Sequence, residues 1–104
     1  MKSKKMTMRD MEEVLEYTIE HPEVIHNQTF GMLNAVYSKK KIPKVISIFI
    51  IRLTDDDELD EATLTVESHE WVMALEMGLK FYEEREEYEM CSKVKELLNK
   101  IKNQ

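Results

Sequence analysis

The chain has 104 residues, 42% apolar and 35% charged, with a net charge of -6, a length that suits one domain able to bury roughly two thirds of its unfolded surface. Two glycines and two prolines argue against a loop-rich or all-β fold, and the acidity excludes broad contact with nucleic acid, which needs clustered Lys and Arg. One cysteine excludes an internal disulfide and fits a reducing compartment.

Residues 1–5 read as a flexible tail. Met1-Lys2-Ser3-Lys4-Lys5 is basic, but no apolar run follows it, so it does not read as a secretory signal. No stretch approaches the length of a membrane span. A cytoplasmic location is expected.

A first helix is expected from about Thr7, with Asp10 completing a capping box. Met8, Met11, Val14, Leu15, Thr18 and Ile19 give it an apolar stripe for burial. His21-Pro22 ends it, because the residue before proline is pushed out of the helical region. Pro22 then suits the first position of a second helix. Val24, Ile25, Gln28, Met32, Leu33, Val36 and Tyr37 carry that helix to about Ser38. Lys39-Lys40-Lys41 closes it and forms a basic patch with Lys44. Aromatic residues there are limited to Tyr37, so the patch reads as a solvated helix end.

Residues 43–54 admit two readings. Val45-Ile46-Ser47-Ile48-Phe49-Ile50-Ile51-Arg52-Leu53 is rich in β-branched residues, as a strand is. Its partner would be residues 62–66, giving a two-stranded hairpin at 44–53/62–66 and an α+β fold. Such a strand would be apolar on both faces, with few elements left to cover it. The favoured reading is a helix opening at Pro43, with Val45, Ile46, Phe49, Ile50 and Leu53 inward and Ile48 and Ile51 flanking.

Residues 55–61 form an acidic linker, Asp-Asp-Asp-Glu-Leu-Asp-Glu. Asp56, Glu58, Asp60 and Glu67 have the spacing of a calcium loop, but Glu61 stands where the sharp turn needs Gly. The linker therefore reads as a solvated loop or a docking surface.

A helical hairpin is expected over residues 65–102. Thr65 is the candidate N-cap, followed by Glu67 and Glu70 at the positive end of the helix dipole. Trp71, Ala74, Leu75, Gly78, Leu79 and Tyr82 make one stripe, widened by Val72. Gly78 costs about 1 kcal/mol against Ala inside a helix, which points to a second helix crossing there. That second helix starts near Glu86 with Tyr88, Cys91, Val94, Leu98 and Ile101 inward, beside Met90 and Leu97. The join has neither Gly nor Pro, so one continuous helix from Val66 to Lys102 is the alternative.

Glu87-Tyr88-Glu89-Met90-Cys91-Ser92-Lys93-Val94-Lys95-Glu96 has an acid–aromatic–acid start, two small residues, an aliphatic and a basic–acidic pair. This stretch, within residues 87–98, resembles the UVR motif, a helical-hairpin element of the UvrB and UvrC repair proteins. Cys91-Ser92 stands where the family has Ala-Ala, and Lys95-Glu96 where it has Arg-Asp. The resemblance covers about a tenth of the chain and implies protein–protein contact, not nuclease activity.

No catalytic constellation is evident. His21 and His26 miss helical zinc spacing, and His69-Glu70 lacks the second histidine four residues on. Cys91 lies on a core stripe among acids, unlike a reactive thiol. No cofactor and no metal are expected. Of the eight methionines, Met73 and Met77 fall off the Trp71–Tyr82 stripe, which admits two readings: a helix buried on two sides, or, with Lys80 and Phe81, an exposed apolar strip for a partner.

The expected fold is mostly α, a small bundle of four to five helices ending in an antiparallel hairpin. The expected function is a protein-interaction module: an accessory, adaptor or inhibitor subunit, whose size and acidity would suit a bacterial or phage regulator. Its partner is another protein or a second copy in a homodimer. Ile48, Ile51, Met73, Met77 and Phe81 would make the apolar contacts, and Asp55, Asp56, Asp57 and Glu58 the acidic ones. The alternative is an acidic antagonist that mimics nucleic-acid charge and blocks a DNA-binding groove.

Overall fold

The computed structural model describes residues 3–37, 43–55, 57, 58 and 60–103. In chain order they form β1 (Lys4–Met8), α1 (Met11–Glu20), α2 (Pro22–Val36), β2 (Val45–Leu53), β3 (Glu61–Glu67), a single 3-10 turn at Ser68–Glu70, α3 (Trp71–Glu84) and α4 (Tyr88–Lys102). This is an α+β fold with a three-stranded mixed sheet, not the helical bundle expected from the sequence.

The first correction concerns residues 45–53, which are the central strand rather than a helix. β2 pairs antiparallel with β3 and parallel with β1, in the order β1-β2-β3. The third strand comes from a segment read as tail and helix start: Lys4 and Lys5 pair with Phe49 and Ile50. A parallel pair needs a long crossover, and α1 with α2 supplies it.

The doubly apolar character of β2 is resolved by a bulge. Ser47 pairs with Thr65 and Phe49 with Leu64, leaving Ile48 as the extra residue. An inserted residue resets the alternation of a strand. Ile46 before it, Ile48 itself, and Phe49, Ile51 and Leu53 after it are all buried. Ile50 is half-buried, and Arg52 is exposed opposite the exposed Glu61. One face of the sheet therefore carries the core, and the other carries Lys5, Thr7, Ile50, Arg52, Thr63 and Thr65.

α2 begins at Pro22 as expected, but α1, α3 and α4 begin later than the sequence suggests. Asp10 itself caps α1, its carboxylate accepting the Glu13 amide at 3.0 Å. Thr65 lies in β3, not at a helix start. The chain turns through Ser68–Glu70, where Glu67 and Glu70 form a reciprocal capping box. β-branched Thr63, Thr65 and Val66 extend the strand, and strand pairing outweighs the capping preference of Thr65.

α3 ends without glycine. The Glu86 amide donates to Glu83 O at 3.1 Å and the Glu87 amide to Tyr82 O at 2.9 Å, while Glu86 takes a φ of 57°. This is the Schellman closure, with Glu in the left-handed position that glycine usually fills. It reverses the chain, so that Lys102 near the end of α4 reaches Glu76 of α3 at 3.4 Å. Tyr82, Leu75, Val94, Leu97, Leu98 and Cys91 are buried in the same core. Tyr88, expected to face inward, is 67% exposed.

Candidate functional site

Where α2 and α3 lie over β2 and β3, they leave a groove of about 190 Å³ with an almost wholly apolar lining. Ile48, Leu64 and Val66 form its floor. Leu64 and Val66 are only half-buried, and they belong to β3, which has no further strand on its other side among the described residues. Ile25, His26 and Thr29 supply one wall, and Ala74 and Met77 the other. Met77 stands at the lip, 59% exposed.

His26 is the polar element of this groove. Its ring packs on Phe81 at 4.7 Å and lies 6.5 Å from the Tyr82 ring. Burial holds the imidazole below the ordinary histidine range. Gly78 is buried beneath it: a Cβ built there would meet His26 Nδ1 at 3.5 Å. The helix that crosses Gly78 is therefore α2, not the second arm of the hairpin.

The candidate partner residues separate into distinct places. Ile48 and Ile51 are 2% and 4% exposed, so the bulged β2 strand holds them in the core. This corrects the expected role of both as exposed contacts: Ile51 lies in the core, and Ile48 is reached only at the floor of the groove. Met73 and Met77 are 56% and 59% exposed on one face of α3. Phe81 is half-buried, stacked on His26 and covered by the Arg85 guanidinium at 5.1 Å from its centroid.

Asp55, Asp57 and Glu58 are exposed in the β2–β3 connection. Asp56 lies outside the described residues, as do Lys39, Lys40 and Lys41. The acidic connection is anchored at its start: the Thr54 amide donates to Met8 O at 3.0 Å and the Asp55 amide to Arg9 O at 2.8 Å. It sits at the far end of β3 from the Ser68–Glu70 turn.

Two further sets have a structural account. Glu67, His69 and Glu70 place three ligand atoms within 4.8 Å of one another. The capping box that starts the turn explains the two glutamates, and His69 is an exposed neighbour 3.3 Å from Glu67. Cys91 is a free, buried thiol.

The sequence reading missed the groove itself. Its walls come from residues 25–29, 48, 64–66 and 74–77, with no shared motif or period. No sequence signal marks His26 for burial; the packing of α2 on α3 at Gly78 and Phe81 covers it. No helix among the described residues is long and apolar enough to cross a membrane. No family model matches this chain, and no curated protein or solved structure matches it significantly.

Proposed function

We propose that this chain is a small acidic protein-interaction module, an accessory, adaptor or inhibitor subunit that seats an apolar segment of another protein between α2, α3 and β3. The supporting observation is the apolar groove with Met77 at its lip and, beside it, the outer edge of β3, which pairs with no other strand among the described residues. Methionine side chains adapt to varied apolar surfaces. An edge strand offers backbone donors and acceptors to an added strand. Together they suit an extended segment whose side chain enters the groove.

The test is comparative capture from the native host, read by mass spectrometry. Three baits are used: the wild type, Met73→Glu/Met77→Glu, and Asp55→Asn/Asp57→Asn/Glu58→Gln. Proteins retained by the first and third baits and lost by the second support the groove. Identical capture by all three baits sinks it. Light scattering on the same samples shows whether the partner is a second copy.

A second reading rests on the exposed Asp55, Asp57 and Glu58. In it the chain is an antagonist that fills a basic DNA-binding surface. Loss of capture by the acid-neutralised bait alone is its signature.

A further inference from the structure

Helix α1 carries two parallel exposed rows. Met11, Leu15 and Ile19 recur every fourth residue and are 38%, 61% and 78% exposed. Glu12, Glu16 and Glu20 follow them one residue later, and all three are exposed. Residues four apart on a helix are neighbours, so the chain displays an apolar ridge beside an acidic one. The ridge spans nine residues, a rise of roughly 12 Å along the helix. The first turn holds Glu12 and Glu13 and the last turn has no basic residue.

The body of the protein uses the opposite side of this helix. Val14 is its one buried residue, and Tyr17 is half-buried. The helix is already formed and capped by Asp10, so a partner would meet a preorganised surface. The ridge is separate from the α2–α3–β3 groove and does not depend on it.

We infer that α1 is a docking surface for a basic amphipathic helix of another protein. That helix carries apolar residues at four-residue spacing against Met11, Leu15 and Ile19, and Lys or Arg beside them against the three glutamates. Charge decides among the possible occupants. Two copies of α1 packed antiparallel about a two-fold axis bring both acidic rows onto one flank, six glutamates together. A chain of net charge -6 gains nothing from that. An anionic bilayer meets the same acidic row and is repelled. A cationic helix satisfies both rows at once, because opposite charges beside an apolar seam set partner choice.

The test uses the full chain and two synthetic helical peptides of about 18 residues, long enough to cover the ridge. One repeats Leu at four-residue spacing with Lys next to each; the other has Glu in place of Lys. Amide chemical-shift mapping and fluorescence anisotropy give the site and the affinity. The expected result is binding of the Lys peptide alone, with shifts confined to α1. Affinity should fall at least tenfold in Leu15→Ser/Ile19→Ser and again in Glu12→Gln/Glu16→Gln/Glu20→Gln. These side chains are exposed, and circular dichroism checks that the fold is kept. Several outcomes overturn the inference: no binding, equal binding of the Glu peptide, or shifts around Met77 instead of α1. So do self-association abolished by Ile19→Lys, which assigns the ridge to a second copy, and binding to phosphatidylcholine/phosphatidylserine vesicles, which assigns it to a membrane.

Discussion

The Tyr82 hydroxyl donates a 2.6 Å hydrogen bond to Asn27 Oδ1, tying α3 to α2 beside the candidate groove. The Tyr82 ring is 1% exposed, whereas Asn27 is exposed and can bond water instead. Tyr82→Phe is therefore expected to lose about 1 kcal/mol, the net worth of one such bond. Denaturant unfolding measures it. A loss near zero would mean that water replaces the contact without cost.

The same phenol gives a pH prediction. Burial, then the nearby Glu87 charge, pushes its ionisation up to about 12, from an ordinary value near 10. The unfolded chain then releases this proton earlier than the folded one. Its contribution to stability is complete below pH 10 and is lost as pH rises towards 12. The difference in phenolate absorbance between wild type and Tyr82→Phe should rise in that upper range. A rise centred at the ordinary tyrosine value would contradict the burial.

His26 acts at the other end of the scale. Desolvation lowers its folded pKa, so the unfolded chain binds the proton more readily. Stability is full above the ordinary histidine value of about 6.5 and declines as pH falls through the lowered one. His26→Phe should remove that part of the acid sensitivity while keeping the contact with Phe81. Unfolding midpoints measured between neutral and mildly acidic pH decide; parallel curves for the two proteins count against it.

Two helix positions can be improved. Gly78→Ala should stabilise by about 0.5–1 kcal/mol through helix propensity, because its Cβ meets His26 only at ordinary contact distance, 3.5 Å. Glu86→Gly should stabilise by about 1 kcal/mol, relieving a side chain from the left-handed conformation. Thermal unfolding of both variants checks the pair, and a fall in midpoint for either refutes its account.

Core and surface apolar residues should respond differently. Ile51→Ala, at a 4% exposed site in the central strand, is expected to cost about 2–5 kcal/mol. Met77→Ala, at a 59% exposed site, should stay within about 0.5 kcal/mol. A large loss at Met77 would place it in the fold rather than at a docking surface.

Local pattern sufficed where an element is specified by its own residues. The helix opened by Pro22 and the stripe of Trp71, Leu75, Gly78 and Tyr82 were legible because their spacing matches one helical face. The same spacing put Met73 and Met77 off that stripe but left open whether a second face buries them; the fold leaves them 56% and 59% exposed. Elements whose identity depends on distant partners were not legible. Lys4–Met8 has no strand signature of its own and becomes a strand only by pairing with β2.

The amino-acid sequence by itself determined the acidity, the single thiol, the helical periods of α2 and α3, and which apolar side chains recur at helical spacing. Tertiary structure alone decided which of those side chains are left over. Burial at Ile48 and Ile51 comes from a one-residue bulge and a strand borrowed from the other end of the chain. Leu15 and Ile19 remain outside because α1 spends only Val14 and part of Tyr17 on the core. A periodic stripe tells which residues share a face; only the packing of separate segments tells whether anything covers it.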